Sequence, residues 1–241
     1  MEQLNLIVVK WGNLYGAEFV VNLYNNAKQY SSKPFNFYVF TDDTQDLPTN
    51  LGWHFINLPN WNMPLQKAWF YKIEIFNSQH NLQGRNLYID LDTIIIGDLT
   101  PFWLALDDQH LAISRDFNRV YISDYKKCNS SVMGWTNHNL ASVYHTFVKD
   151  TAQYSSRYRG DQDFLEVHAN PKKFFEDSWA MSWKWECWRG GKKSPTDYKL
   201  TKDATVIDPN TKILVFHGKP NPNECEDSKM IELWKGAVKH K

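Results

Sequence analysis

An α/β fold, with a Rossmann-like mixed central sheet flanked by helices, is predicted by three observations. Over roughly the first hundred residues, apolar runs of strand length alternate with segments whose apolar residues recur at helical spacing. The first run, residues 4–9 (LNLIVV), is apolar on both parities, as a strand covered on both faces requires. Several runs end in polar residues, and open α/β sheets bind their ligands beyond the carboxyl ends of the strands.

The elements follow in order. Residues 17–30 place Phe19, Val20, Leu23, Tyr24 and Ala27 on one helical stripe. Residues 35–40 (FNFYVF) read as a strand ending at Thr41-Asp42-Asp43, and residues 53–58 (WHFINL) as a shorter one stopped by Pro59. Residues 65–76 are predicted helical, with Leu65, Ala68, Trp69 and Ile73 on one side. Strands at 87–91 (LYIDL) and 93–96 (TIII) surround Asp92, and Gly97-Asp98 closes the second. Short strands at 110–114 and 131–135 and helices at 140–148 and 161–168 follow. A late strand, 212–216 (KILVF), delivers His217-Gly218-Lys219-Pro220. Neither a repeat nor a low-complexity linker interrupts this order, so one domain over residues 1–241 is expected. Lys10-Trp11, Thr41-Asp42-Asp43, Asp90-Leu91-Asp92 and His217-Gly218-Lys219 each follow an apolar strand and are expected to converge on one crevice.

Composition narrows the function. Lys+Arg and Asp+Glu are both 27, so no long-range field draws the chain to nucleic acid or an acidic membrane. Any phosphate must be held by a local site. Every apolar run is too short to span a bilayer, and the opening MEQLNLIVVKWGN lacks the features of a signal peptide. Cys128, Cys187 and Cys225 are too few and scattered for a disulfide framework and form no CxxC pair, so a reducing cytoplasm is the expected compartment. The 11 Trp, 12 Tyr and 14 Phe supply either core bulk or flat faces for sugar rings and bases. The cluster Trp179, Trp183, Trp185 and Trp188 carries the same two readings, core packing or an acceptor-stacking rim. Lys192-Lys193 reads as a solvated loop.

Asp90 and Asp92 interrupt an otherwise apolar run. A carboxylate there is costly unless paired, hydrogen-bonded or bound to metal, and Mg²⁺ or Mn²⁺ typically takes one or two carboxylates plus phosphate oxygens. Chance alone supplies roughly one Asp-x-Asp in such a chain, and a second copy stands at Asp161-Gln162-Asp163. The first copy is set apart by its apolar flanks; the competing reading is an acid pair that caps a turn or bridges to Arg85. The second copy also reads as a helix N-terminus with favourable acids. His217, at a strand end, is either a third metal ligand or a structural histidine. Gly218 permits close backbone approach, and Lys219 offers a point charge to a diphosphate.

The segment holding Asp90-x-Asp92, then Cys128-Asn129-Ser130-Ser131-Val132-Met133, then Gly160-Asp161-Gln162-Asp163, then His217-Gly218-Lys219-Pro220 resembles the ordered blocks of family 8-type retaining glycosyltransferases. The opening Val9-Lys10-Trp11-Gly12 and the block Phe40-Thr41-Asp42-Asp43 resemble a bacterial and phage-borne branch of that group. The resemblance implies a GT-A fold and transfer of a sugar from a nucleotide-diphosphate donor, with UDP the expected nucleotide and retention the expected outcome. The acceptor would be a carbohydrate or another hydroxyl compound. It implies Mn²⁺ or Mg²⁺ on Asp90, Asp92 and His217. Asn129, Asp161 and Gln162 would surround the donor sugar as the catalytic group. Lys10, Trp11, Tyr15, Asp43, Lys67 and Lys219 would bind the donor, with Lys219 at the diphosphate. The late block departs from the family's His-x-Gly-x-x-Lys-Pro in its shorter spacing. Retention would run through a covalent intermediate on Asp161 or through same-face attack assisted by the leaving phosphate.

Three rival readings share parts of this pattern. Asp90-Leu91-Asp92-Thr93 approaches the nucleophile motif of haloacid-dehalogenase-type phosphatases, but Ile94 breaks it and Leu165 breaks their acidic block after Gly160. A nucleotidyltransferase forming nucleotide-sugars would need a Gly-rich loop, and residues 8–16 hold two glycines. A sugar-binding module without a metal would use the aromatic residues alone.

Overall fold

The computed structural model describes residues 2–187 and 207–238. Chain order is β1 (Leu4–Lys10), α1 (Ala17–Tyr30), β2 (Asn36–Thr41), β3 (His54–Asn57), a 3-10 run (Leu65–Phe76), β4 (Arg85–Ile89), β5 (Thr93–Ile95) and α2 (Thr100–Leu104). Then come β6 (Leu111–Arg115), β7 (Cys128–Thr136), α3 (Ala141–Val148), α4 (Thr151–Arg157), α5 (Asp161–His168), β8 (Lys172–Phe174), β9 (Ala180–Ser182), a π-turn (Trp183–Cys187), β10 (Ile213–Val215) and α6 (Ser228–Trp234).

Seven strands build the central sheet in the order β3-β2-β1-β4-β7-β6-β8. The strands β3, β2, β1 and β4 run parallel, whereas β7 is antiparallel to both β4 and β6. The sheet is therefore mixed, as expected. Leu6, Ile7 and Val8 are all fully buried, because both faces are covered. Side chains alternate between the faces: Leu6 and Val8 join a core with α1, α2 and α6, and Ile7 joins the opposite core with the 3-10 run, α3 and α5. A second sheet, β5-β10-β9, pairs β10 antiparallel to β5.

This topology sets the site. β1, β2 and β4 are parallel, so Lys10, Thr41 and Ile89 all end at one edge. Between β1 and β4 the strand order reverses, the position where such sheets open a ligand crevice. From the other sheet, the Phe216 N–H donates to the Asp92 carbonyl at 2.9 Å, so β10 delivers His217 next to Asp92.

Some expectations need correction. Residues 65–76 form a 12-residue 3-10 run rather than an α-helix. Its consecutive aromatic and β-branched side chains fill a narrow space under the sheet, where a three-residue period lines up i and i+3. The strand at 87–91 stops at Ile89, because the Thr93 hydroxyl donates to the Asp90 carbonyl at 2.8 Å and turns the chain. The strand at 131–135 extends back to Cys128. α2, α4, β8, β9 and α6, each of seven residues or fewer, were not foreseen; they are too short for periodicity to reveal. Trp183 is 1% exposed and stacks on Phe216 at 4.9 Å, so it packs the core and is no stacking rim. Trp188 and Lys192-Lys193 lie outside the described residues. The three cysteines are buried, and among the described residues no helix is long and apolar enough to cross a membrane.

Candidate active site

A cavity of about 770 Å³ opens at the carboxyl edge of the parallel strands. Its walls are Val9 and the loop from Trp11 to Tyr15, the 3-10 residues Leu65, Ala68, Trp69 and Lys72, and Tyr88 with the turn Asp90-Leu91-Asp92. The loop is shaped at Gly12, whose φ of +57° is in the left-handed region that favours glycine. Its N–H donates to Asp42 Oδ1 at 3.0 Å, tying the β1 loop to the end of β2.

Lys72 stands at the centre of the charges. Its Nζ lies 3.0 Å from Asp90 Oδ1, 3.1 Å from Asp161 Oδ2 and 3.2 Å from Ser130 Oγ. The side chain is 8% exposed. Burial pulls its pKa down, but the charges of Asp161 and Asp90 outweigh burial and hold it above the ordinary lysine value. Ser130 lies in the stretch of β7 where the pairing with β6 shifts register between Ile113 and Ser114. The Asp90 N–H donates to the Ser131 carbonyl at 2.8 Å.

Asp90 also accepts from the Tyr88 hydroxyl at 2.5 Å. Tyr15 hydrogen-bonds Asp92, and burial with the charges of Asp92 and Asp90 pushes its phenol well up. Burial and the neighbouring charge of Asp90 raise the Asp92 carboxyl far above the usual carboxylate range, only partly opposed by Lys72. The charged form of Asp92 is thus disfavoured in this site with no further cation present.

Asp161 is 5% exposed at the first position of α5. Gln162 turns elsewhere, its Nε2 donating to Asp116 Oδ2 at 3.0 Å. Asn129 is buried and its Oδ1 accepts the Ser131 N–H at 3.0 Å.

The remaining expected residues are spread out. Trp11 lines the cavity and stacks on Tyr71 at 5.3 Å, which in turn stacks on Trp61 at 5.4 Å. The Lys10 ammonium folds back to the Gly12 carbonyl at 3.2 Å. Asp43 is exposed, and its Oδ1 accepts from the Gln45 N–H at 2.8 Å. The Lys67 ammonium donates to the carbonyls of Tyr158 at 2.7 Å and Arg159 at 3.0 Å, so Lys72 is the lysine of this run that reaches the carboxylates.

His217 Nε2 meets the Ser182 hydroxyl at 2.8 Å, and its ring stacks on Phe117 at 5.2 Å with Trp185 edge-on at 4.5 Å. Burial, then the charge of Lys184, pushes its pKa down to about 3, leaving a neutral imidazole. Lys219 is 69% exposed and pairs with Glu224 at 2.5 Å. Lys184, on the π-turn, donates to the Lys219 carbonyl at 3.0 Å and lies within the electrostatic reach of Asp92.

Sequence reasoning missed Lys72, Lys184, Tyr88 and Ser130. A signal for Lys72 was present, since a lysine in the apolar stretch FYKIEIF demands a buried partner.

No protein-family model and no curated protein matches the chain. Among solved structures, the fold is similar to an active-site mutant of LgtC, with TM-score 0.68 and 14% identity over 99% of this chain and 97% of that one. It is also similar to the galactosyltransferase LgtC in complex with donor and acceptor sugar analogs, with TM-score 0.65 and 15% identity over 99% and 97% of the two chains. The glycosyltransferase GlyE of Streptococcus pneumoniae TIGR4 matches with TM-score 0.66 and 16% identity over 96% of this chain and 61% of GlyE. The central sheet flanked by helices is the GT-A fold.

Proposed function

We propose that this chain is a single-domain glycosyltransferase that moves a sugar from a nucleotide-diphosphate donor, with UDP the first candidate, to a hydroxyl acceptor with retention of configuration. The observation that carries the reading is the Asp90–Asp92 turn, which floors a crevice at the strand-order switch between β1 and β4. Proteins of this fold include one captured with donor and acceptor sugar analogs. Against the phosphatase reading, Ile94 breaks the nucleophile motif and Leu165 its acidic block. The few cysteines fit a reducing cytoplasm.

The residues fit a divalent cation. Among the described residues no three His, Cys, Asp or Glu side chains form a complete ligand cluster. Mg²⁺ or Mn²⁺ needs only one or two carboxylates when a diphosphate completes its shell. Asp90 and Asp92 supply these hard oxygens, and their mutual repulsion is relieved by a cation. The end of β10 meets the Asp92 backbone through the Phe216 N–H, while the neutral imidazole of His217 is bonded to Ser182 and would have to turn to join the two carboxylates. A bound cation would stabilise charge on the departing diphosphate.

The protein groups have separable tasks. Trp11 and Tyr15 border the donor, and Tyr15 orients Asp92. Lys72 holds Asp90 and Asp161 in fixed relation. In the transfer, the bond from the sugar to the diphosphate breaks and a bond to the acceptor oxygen forms. Asp161 serves either as the nucleophile of a covalent intermediate or as the group that positions the sugar for same-face attack, while Gln162, held by Asp116, acts from further out.

Thermal unfolding with UDP and with GDP, each with and without Mn²⁺, tests the reading on wild type and Asp92→Ala. A ligand at about 100 times its Kd adds roughly 2.7 kcal/mol to the native state. The expected result is a Mn²⁺-dependent rise in Tm with UDP that vanishes in Asp92→Ala. No shift with either nucleotide at saturating Mn²⁺ would reject the donor site.

A further inference from the structure

The lip of the cavity carries three large apolar side chains left in water: Leu14 at 68% exposure, Leu65 at 67% and Trp69 at 45%. Among the described residues Trp69 is the one tryptophan exposed to this degree, while its neighbours Phe70, Tyr71 and Ile73 are buried. Leaving an indole in water forgoes burial energy, and a large apolar face kept at a cavity mouth marks a contact surface.

The indole is also held in place. Lys67 pins the carbonyls of Tyr158 and Arg159 to the 3-10 run. At Gly160 the indole Nε1 stands 3.2 Å from where a Cβ would sit, so the ring packs against the backbone just before Asp161. The three-residue period of the run aligns Trp69 with Lys72, whose ammonium is 3.1 Å from Asp161. The platform therefore stands one turn from the lysine that holds Asp161, the carboxylate at which the sugar would be transferred.

Resting on the glycosyltransferase reading, we propose that Trp69, with Leu14 and Leu65, is the acceptor platform, and that the acceptor is a pyranose sugar stacked by its C–H face on the indole. A pyranose has one apolar face and a rim of hydroxyls, so it covers the ring while aiming a hydroxyl at the carboxylates. It is neutral and meets no repulsion from Asp90, Asp92 and Asp161. A nucleobase needs hydrogen-bonding partners at its edge; Leu14, Leu65 and Ala68 provide none, and Asn13 is the one side-chain amide on the cavity wall among the described residues. A lipid chain needs a groove apolar to its floor, and this floor is Asp90 and Asp92.

The test is saturation-transfer NMR on the full chain with UDP and Mg²⁺, using methyl β-glucopyranoside, methyl β-galactopyranoside and lactose as probes. Wild type is expected to transfer saturation to the carbon-bound protons of one ring face. Trp69→Ala should weaken binding of the responding sugar by about ten-fold, the upper end of ring stacking, and Trp69→Phe should restore it. The metal-dependent UDP shift in Tm should survive Trp69→Ala. Sugar binding unchanged in Trp69→Ala overturns the proposal, as does loss of UDP binding in that variant, which would make the ring a base platform. Failure of all three sugars to bind wild type while the UDP shift is present overturns it and leaves the donor reading standing. Absence of the UDP shift in wild type removes the donor reading, and the acceptor platform falls with it.

Discussion

Asp90-Leu91-Asp92 follows a strand, whereas Asp161-Gln162-Asp163 opens a helix, and the same tripeptide is put to different use in each. In the strand-end turn both acids reach one cavity, where burial and the charge of Asp90 raise the Asp92 carboxyl. On the helix, residues two apart differ by about 200° around the axis. Asp161 therefore points in, 5% exposed against Lys72, while Asp163 is half-buried and Gln162 reaches Asp116. One lysine thus couples one acid of each copy, and Asp92 remains with a hydroxyl partner and no short ion pair among the described residues. The motif specifies carboxylates; the backbone beneath it decides whether they repel each other or are neutralised.

Four substitutions test this contrast. Lys72→Met removes the cation shared by both copies, leaving the buried Asp161 and the part-buried Asp90 without their ion-pair partner, which should cost about 3 kcal/mol in urea unfolding. A loss near zero would mean that the lysine does not neutralise them. Asp161→Asn keeps the shape of the helix start and should lower kcat by about 10²-fold or more, measured as transfer to the responding acceptor. Near-normal turnover would move the chemistry to the strand-end pair alone. Asp92→Asn relieves the repulsion in the strand-end copy and should stabilise the metal-free protein by about 1 kcal/mol while abolishing the Mn²⁺-dependent nucleotide shift. Reduced stability in chelator would show that the Asp92 charge is satisfied without a cation. Asp163→Asn should change stability by no more than about 0.5 kcal/mol and leave turnover unchanged. A large effect there would erase the distinction between the two positions of the helical copy.

Much of the fold was legible. The apolar parity of residues 4–9 and the helical stripe of residues 17–30 correspond to β1 and α1, since both run long enough to show their period. The convergence of Lys10, Thr41 and Asp90 on one edge followed from polar residues ending apolar runs. The 3-10 run escaped because Leu65, Ala68, Trp69 and Ile73 recur at α-helical spacing, and nothing in the local residues marks the tighter turn. That difference matters at Lys67 and Lys72. The former was the expected neighbour of the donor and instead fastens the loop at residues 158–159, while the latter meets the acids. Lys184 escaped because the π-turn that holds it follows a three-residue strand, β9, too short to leave a pattern.

Local residues alone settled the type and order of the longer elements other than the run at 65–76, because alternation, helical spacing and chain breakers act within a few positions of each other. They also settled that two acids stand at a strand end where isolated charge is expensive. Which cation meets which acid was decided by the packed chain. Lys72, Asp90, Ser130 and Asp161 come from four separate segments, and only the placement of β7, the 3-10 twist and the docking of α5 bring them within hydrogen-bonding distance. Electrostatic partners are chosen over distances of about 3 Å in space. Sequence separation carries no information about that distance until the two cores on either side of the sheet have closed.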